Sequence, residues 1–176
     1  MTTATLTDLL AEYDRALGHT DRMWSDLTPE QVYWRASEEA SGIGWHLGHQ
    51  AAVAHFMVRN LTAAEAPVDA ELDRLMDSAT PEADRGSLPE LDRLRRYRET
   101  VADRVRFRIG EIDAGRVGAP DQLRIVATSL MLAVVNHEYQ HTQWIGETRL
   151  HVHGLALPAA PVSDRISVVD GYLVVR

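Results

Sequence analysis

Apolar residues recur every three or four positions in four long segments of the chain, which is the period of helices with one buried face. The first segment covers about residues 7–27, the second about 41–61 and the fourth about 120–150. The third follows Pro89 and carries apolar residues as far as Ile112. The first 160 residues show no sustained strand-like alternation of apolar and polar positions. The pattern therefore predicts an all-α fold, a four-helix bundle.

A short helix is expected directly after the first long one. Thr28 is followed by Pro29 and, three positions after the threonine, by Gln31. This is a capping box with proline in the first helical position, and it predicts the start of a helix. Its Val32 and the nearby Trp34 are expected to pack against the bundle.

The connection between the second and third long helices, residues 62–86, has 25 positions and is rich in Ala, Asp, Glu and Pro. Antiparallel neighbours are joined by roughly 2–8 residues, so this connection is too long for a simple turn. A crossover makes the two helices that it joins parallel, and it predicts an up-down-down-up arrangement. Residues 68–76 are expected to form a short helix within it.

The chain changes character after the fourth helix. Residues 155–162 are rich in Pro and Ala, and residues 166–175 resemble two short strands around Asp170-Gly171, which predicts a tight β-hairpin. We therefore divide the chain into a bundle, residues 1–154, and a linker with a C-terminal β-hairpin, residues 155–176. An isolated hairpin is marginal in water, so this one is expected to pack on the helices or on a partner subunit.

Composition and charge narrow the chemistry. The chain has 176 residues, no cysteine, and 18 basic against 26 acidic residues, which gives a formal net charge of −8. This balance argues against nucleic acid or an anionic membrane as a partner. Without cysteine there is no disulfide, thiolate nucleophile or sulfur-ligated metal, so any metal must be held by His, Asp or Glu. All the basic residues are arginine, which also excludes catalytic lysine chemistry.

Two further patterns concern partners and location. The third helix carries a basic run that we interpret as a solvated face paired with acidic residues, not as a nucleic-acid site. Its members are Arg93, Arg95, Arg96 and Arg98. The longest uninterrupted apolar run, residues 130–135, is far shorter than the roughly 18 residues of a membrane span. The N-terminus lacks the basic and apolar regions of a signal peptide, so we expect a cytoplasmic protein.

Two histidines occupy apolar positions of the fourth helix. His137 and His141 are one turn apart on its buried stripe. One core histidine is usually satisfied by a carbonyl or a carboxylate, because burying an unpaired imidazole costs free energy. Two of them at positions i and i+4 on an apolar face have the spacing that lets both rings bind one cation.

A third histidine, His49, lies on the apolar stripe of the second helix. It is eight residues past the expected helix start, about 12 Å along the axis, and His141 is about as far from the end of the fourth helix. The histidines therefore lie at one level if these helices are antiparallel; in a parallel pair His49 and His137 would be about 13 Å apart. The long connection independently predicts the antiparallel pair. The other members of the stripe are Trp45, Ala52, Val53 and Phe56.

The remaining histidines carry less weight. His46 is one turn before the candidate ligand of the second helix, where it would either support the site or face a substrate. His55 lies off the apolar stripe and is expected on the surface. His151 and His153 lie near a helix end, where positive charge suits the helix dipole, and His19 has no assigned place.

The segments Trp45-His46-Leu47-Gly48-His49-Gln50 and His137-Glu138-Tyr139-Gln140-His141 resemble the DinB/YfiT-like metalloenzyme superfamily. The similarity is particularly close to the DinB-type N-terminal domain of ergothioneine-biosynthesis sulfoxide synthases. In that group a W-x-L-x-H segment supplies the first metal ligand and an H-E-x-x-H segment the other two. The resemblance covers roughly residues 6–150, including Thr28-Pro29-Glu30-Gln31 with Trp34-Arg35. It implies His49, His137 and His141 as ligands.

The resemblance also limits what is expected of the activity. The sulfoxide synthases carry a second, large catalytic domain, whereas here the bundle is followed by the tail at residues 155–176. We therefore do not carry over oxygen-dependent sulfur–carbon bond formation. Stand-alone members of the superfamily include S-transferases and isomerases that use bacillithiol, mycothiol or glutathione. The resemblance further implies a homodimer, a state that would also give the hairpin a surface to pack on.

These observations predict a metal-dependent enzyme that acts on a small molecule. Three neutral imidazoles with one open coordination position suit Zn²⁺, Ni²⁺ or Fe²⁺, and one such ion would activate a substrate thiol or a water molecule. His46 and Glu138 are the candidate catalytic residues, with Gln50 as a further assistant. Because the chain has no cysteine, a low-molecular-weight thiol would be a cosubstrate. The candidate pocket-lining aromatic residues are Trp45, Tyr139 and Trp144.

Two alternatives stay open from the sequence. H-E-x-x-H is the signature of zinc proteases, in which Glu138 would be the general base. Against this, Glu147 is the only glutamate after His141, and it lies too close to be the third ligand. The second alternative is a non-catalytic bundle in which the metal is structural or absent and the protein serves as an interaction module.

Overall fold

The computed structural model describes residues 4–62 and 65–176. Four long helices form a bundle and are followed by a two-stranded antiparallel hairpin, which confirms the predicted fold class. The helices are α1 (Leu6–Trp24), α2 (Pro29–Val32), α3 (Ile43–Arg59), α4 (Ala70–Leu75), α5 (Leu91–Asp113) and α6 (Pro120–His151), with a 3₁₀ helix at Glu82–Gly86. The strands are β1 (Ile166–Val169) and β2 (Tyr172–Val175).

The helices α3 and α6 run antiparallel, as the histidine levels require. His46 of α3 contacts His141 of α6, whereas Gln50, one turn further along α3, contacts Glu138, one turn earlier on α6. The two helices therefore pass one another in opposite directions at the level of the candidate ligands.

The other long helices complete the predicted up-down-down-up arrangement. Thr7 at the start of α1 donates a hydrogen bond to Asp113 at the end of α5, so these helices are antiparallel. Arg98, early in α5, donates to the carbonyl of Leu47, early in α3, so these two helices are parallel. The connection between them, of which the structure describes residues 62 and 65–86, is therefore the crossover. Within the described ranges, no helix has the length and apolar character needed to cross a membrane.

The capping signal after α1 acts as predicted. The Thr28 side chain accepts from the backbone of Gln31 and the Gln31 side chain accepts from the backbone of Thr28, which together start α2. Val32 is fully buried. Trp34 packs less closely than expected, since its ring contacts His153 edge-on but 39% of the residue is exposed.

The crossover packs closely against the bundle. Its predicted short helix is α4, whose first turn is capped by the Asp69 side chain. Leu72 and Met76 are fully buried. Asp69 also accepts from Arg93 of α5 at 2.7 Å, an ion pair of the kind expected for the basic run. The crossover is thus held to the helices that it joins.

Three further positions, Arg98, His55 and Phe56, differ from the sequence-based expectations. Arg98 is only 5% exposed, although Arg95 and Arg96 beside it face solvent as predicted. It follows Leu94 by four positions on the buried stripe of α5, so the helical period places it inside. On α3 Phe56 is 62% exposed and His55 is 2% exposed, the reverse of the expectation. This helix packs against both α5 and α6, which turns a broader face inward than the assumed stripe.

The C-terminal hairpin packs on α6 of its own chain. Asp170 and Gly171 form the turn, and both have positive φ, 52° and 87°, as a type I′ turn requires. The side chain of Asn136 on α6 donates to the carbonyl of Val175 and accepts from its backbone N–H. Val175 is 2% exposed. Of the two expected packing surfaces, the hairpin therefore uses the helices.

Candidate metal centre

Three histidines from two antiparallel helices meet inside the bundle. His49 of α3 and His137 and His141 of α6 each offer one ring nitrogen, and these nitrogens lie within 4.8 Å of one another. The ring centroids are 5.2 Å apart for His49 and His137, and 4.4 Å apart for His137 and His141. The fold thus brings together the three residues that the sequence nominated as metal ligands.

A backbone carbonyl of the crossover orients His49. The Nδ1 atom of His49 is 2.6 Å from the oxygen of Met76, so the protonated Nδ1 donates to this carbonyl and Nε2 is left for a metal. A hydrogen bond of this kind fixes the tautomer and the ring orientation of a metal-binding imidazole. The side-chain pattern of the sequence does not identify Met76 as this acceptor, because the group involved is its backbone carbonyl.

Gly48 allows this close approach of the crossover to α3. A Cβ atom at position 48 would collide with the side chain of Met76. Met76 is fully buried against the helix, and its carbonyl reaches His49 from there. The glycine inside a helical pattern, between Leu47 and His49, was the available signal that another element packs closely at this point.

His46, one turn before His49 on α3, contacts His141 of the cluster. Its Nδ1 atom lies 2.9 Å from Nδ1 of His141, and one of the two nitrogens donates to the other. When Nδ1 of His141 donates, its Nε2 is free for a metal and His46 retains an N–H on its own Nε2. The structure therefore places His46, a candidate catalytic residue, in direct contact with a candidate ligand.

Burial keeps these imidazoles neutral. Desolvation lowers the pKa of His46 and His137 to about 4 and that of His141 to about 2, with smaller contributions from the neighbouring histidines. Desolvation also lowers the pKa of His49, although the hydrogen bond to Met76 opposes this shift. Neutral imidazole is the metal-binding form, so at neutral pH no proton has to be displaced from the three nitrogens.

The residues present fit a divalent ion of intermediate softness. Three histidine nitrogens bound to one Zn²⁺ would be about 3.4 Å apart, and the three candidate nitrogens lie within 4.8 Å of one another. A set of three neutral imidazoles suits Zn²⁺, Ni²⁺ or Fe²⁺. His49, His137 and His141 would hold such an ion, and a four-coordinate ion would then have one position for a substrate atom.

Glu138 and Gln50, the other candidate assistants, lie on a different side of their helices. Oε1 of Glu138 accepts hydrogen bonds from Thr20 and Arg98, and the Gln50 side chain bonds to Glu138 and Arg98. None of the hydrogen bonds described for Glu138 joins it to a histidine of the cluster. The fold therefore separates Glu138 from the metal centre, although it lies between His137 and His141 in sequence.

A cavity opens beside the metal centre. Its volume is about 590 Å³, and residues of α3, including His49, and of the crossover line it. The walls combine apolar surface with charged groups, contributed by Ala52, Val53, Phe56, Arg59, Asp73 and Met76. A cavity of similar volume between α1 and α5 reaches Arg98 but none of the cluster histidines.

Two aromatic rings and one arginine surround the cluster. The Trp45 ring stacks on His49 with centroids 4.5 Å apart, and the Trp144 ring lies edge-on to His141 at 4.7 Å. The guanidinium of Arg85, from the 3₁₀ helix of the crossover, lies 4.3 Å from the centroid of the Trp45 ring. Tyr139 is buried on the side of α6 that faces α1, near His19. Contrary to the expectation, it does not line this site.

The fold and the site define a class: an up-down-down-up helical bundle with three converging histidines that could hold a divalent metal. The sequence pattern of the DinB superfamily matches residues 12–145, a range that includes all three histidines. The chain belongs to the DinB superfamily. None of the curated proteins is similar enough in sequence to count as a relative.

Proposed function

We propose that this protein is a metal-dependent enzyme whose three-His site activates a small-molecule thiol, or water, for attack on a second substrate. The observation that carries the proposal is the set of three converging imidazoles, of which His49 lines a cavity of about 590 Å³. When a divalent ion is bound there, it supplies a lowered pKa for a coordinated thiol or water at neutral pH. His49, His137 and His141 are the proposed ligands.

The protein's own residues orient and enclose this site. Met76 and His46 hold the rings of His49 and His141 through hydrogen bonds. Trp45 and Trp144 cover the rings, which limits the access of bulk water. His46 is neutral at pH 7, because burial lowers its pKa to about 4, and it offers an N–H to a bound substrate.

The proposed reaction class is thiol S-transfer. The thiol gives its proton to solvent, its sulfur forms a bond to an electrophilic carbon, and the leaving group departs with the electrons of the broken bond. Because the chain contains no cysteine, the sulfur must come from a cosubstrate such as bacillithiol, mycothiol or glutathione. Membership of the DinB superfamily supports S-transfer rather than proteolysis. The hydrogen bond from Arg98 to Glu138 also argues against the protease, in which Glu138 would be the general base.

The first experiment is elemental analysis of the purified protein and of its His141→Ala variant. We expect about one Zn, Ni or Fe per wild-type chain and a large loss in the variant. The metal-loaded protein is then incubated with each thiol and an aryl halide, and thioether formation is followed by mass spectrometry. The absence of cysteine removes alkylation of the protein's own thiols as a competing reaction.

The outcomes separate the alternatives. Stoichiometric metal without turnover across the panel would favour the non-catalytic module. Metal-dependent cleavage of casein would favour the protease. A wild-type protein that takes up none of the three metals would exclude all the metal-dependent enzyme hypotheses.

We also propose a homodimer, on the superfamily resemblance alone. The hairpin gives no separate support, because Val175 and Asn136 pair it to α6 within the chain. Light scattering coupled to size-exclusion chromatography would test the proposal, and a monomer mass across the micromolar range would contradict it.

A further inference from the structure

A network of buried polar side chains joins all four long helices. On α3 and α6 it lies on a different side of the helix from the histidines of the metal centre. Each member is at most 5% exposed. The members are Thr20 of α1, Gln50 of α3, Arg98 of α5, and Glu138 and Thr142 of α6.

Arg98 is the centre of this network. Its guanidinium donates to the carbonyl of Leu47 at 2.6 Å, to the side-chain oxygen of Gln50 at 3.1 Å and to the carboxylate of Glu138 at 3.2 Å. Thr20 donates to the same carboxylate oxygen at 2.7 Å. One side chain of α5 therefore binds both α3 and α6.

Two of these contacts hold the backbone of the ligand-bearing helices. Leu47, whose carbonyl binds Arg98, is two residues before His49. The carbonyl of Glu138 accepts from Gln50 at 2.8 Å, and Glu138 lies between His137 and His141. The network thus ties α3 to α6 within one turn of all three proposed ligands.

Stability alone does not account for such a network. Two buried charges lose their hydration, and replacing a buried ion pair by apolar side chains of similar volume is often neutral or stabilising. Directional hydrogen bonds, in contrast, fix how two helices are rotated and how far they are shifted along their axes, which apolar contacts specify less sharply.

We propose that Arg98, Glu138 and Gln50 are positioning residues, which set the register of α3 against α6 so that the three imidazoles converge on one ion. This inference rests on the proposed metal site. It assigns Glu138 a role different from that of a catalytic acid or base, since its carboxylate acts through Arg98 and not on the substrate.

The test compares Zn²⁺ affinity with the stability of the metal-free protein. Zn²⁺ is titrated in competition with a chromogenic chelator, and unfolding is followed by circular dichroism. In the double variant Arg98→Met/Glu138→Leu we expect the Zn²⁺ dissociation constant to rise about 10–100-fold, the effect typical of losing groups that orient metal ligands. The melting temperature of the metal-free protein should fall little or rise. The single variant Arg98→Lys keeps a cation beside Glu138 and should therefore bind Zn²⁺ more tightly than the double variant.

Arg149→Met provides a matched control. Like Arg98, Arg149 is buried and paired with an acidic group, since its guanidinium lies 2.6 Å from Asp26. It lies on α6, eight residues after His141, and therefore outside the metal centre. This variant should lose stability and keep its Zn²⁺ affinity within twofold of wild type.

An unchanged Zn²⁺ affinity in a folded double variant would overturn the inference. If the double variant does not fold, the Gln50→Met variant is tested instead, because it removes one uncharged member of the network. An unchanged Zn²⁺ affinity in this variant would then overturn the inference. A wild-type protein that binds no Zn²⁺, Ni²⁺ or Fe²⁺ would instead overturn the proposed function, and this inference with it. Equal affinities in wild type and variants would overturn the inference alone.

Discussion

Burial lowers the pKa of His19, His46 and His137 to about 4, against 6.5 for a solvated imidazole, and that of His141 to about 2. Between pH 6.5 and about 4 the unfolded chain therefore binds more protons than the folded chain. The stability that neutral imidazoles contribute is present above pH 6.5 and is lost as the pH falls toward 4. We expect the urea midpoint of the metal-free protein to fall between pH 7 and pH 5.

His19 allows this prediction to be checked away from the metal centre. It lies on α1, and desolvation together with the charge of Arg22 lowers its pKa. In His19→Gln the urea midpoint should fall less steeply over the same pH range. Equal midpoints at pH 7 and pH 5 in the wild type would contradict the prediction.

Gly48→Ala should disturb the metal centre through the crossover. The new methyl group would collide with Met76, which must then move together with the carbonyl that orients His49. Overpacking of this kind costs about 1–3 kcal/mol, so we expect a lower melting temperature and weaker Zn²⁺ binding.

Gly110→Ala is the matched control for this substitution. Gly110 is also inside a long helix, and a Cβ atom there would meet nothing within 4 Å. Alanine should stabilise α5 by roughly 0.5–1 kcal/mol and leave Zn²⁺ binding unchanged. If both variants weaken Zn²⁺ binding equally, the contact between Gly48 and Met76 is not the cause.

Single residues also show where reading the chain by residue type fails. Arg98 was predicted on the solvated face as a member of the basic run, which was expected to pair with acidic residues. Its spacing of four from Leu94 and three from Val101, both fully buried, indicates the opposite. The helical period was the better guide here, because a buried charge is tolerated where partners such as Glu138 are placed to receive it.

Whole elements were predicted closely. The four long helices begin and end within a few residues of the expected positions, since proline, threonine caps and glycine mark their limits locally. The hairpin turn at Asp170-Gly171 was likewise found, because few dipeptides accept positive φ at both positions. The surface on which the hairpin packs was left open, since local patterns do not specify a distant partner.

Asn136→Ala should release the hairpin from α6. The Asn136 side chain makes two hydrogen bonds with the backbone of Val175, and the variant loses both. We expect a loss of about 1–2 kcal/mol in stability and faster amide exchange in β1 and β2. The metal content should stay at the wild-type level, because the histidines belong to the bundle.

Ser167→Ala is the matched control for Asn136→Ala. Ser167 also bonds to the hairpin backbone, at the carbonyl of Val174, but within the hairpin itself. Amide exchange of the strands should then change little. Strand exchange that is unaffected in Asn136→Ala would show that apolar packing alone holds the hairpin.

For the molecule as a whole, metal binding should raise the melting temperature. The proposed ligands come from α3 and α6, which are far apart in the chain, so an ion bound by the folded protein stabilises the bundle. At a free Zn²⁺ concentration of about 100 times the dissociation constant the gain is about 2.7 kcal/mol. For a chain of this size we expect a rise of roughly 5–10 °C by differential scanning calorimetry.

The His49→Ala variant is the control for this shift. It removes the only proposed ligand on α3, so Zn²⁺ should raise its melting temperature by much less than in the wild type. A wild-type melting temperature that is insensitive to Zn²⁺, Ni²⁺ and Fe²⁺ would contradict the prediction.

The helix positions, the hairpin turn and the choice of His49, His137 and His141 followed from periodicity and spacing, because both depend on residues close together in the chain. The length of the crossover added the direction of α3 against α6. In contrast, Met76 as the acceptor for His49 and Arg98 as the link between α3 and α6 depend on contacts across dozens of residues. Such contacts arise only when the helices pack. Local patterns indicate that position 48 is closely packed and that Arg98 is buried, but they do not identify the partners.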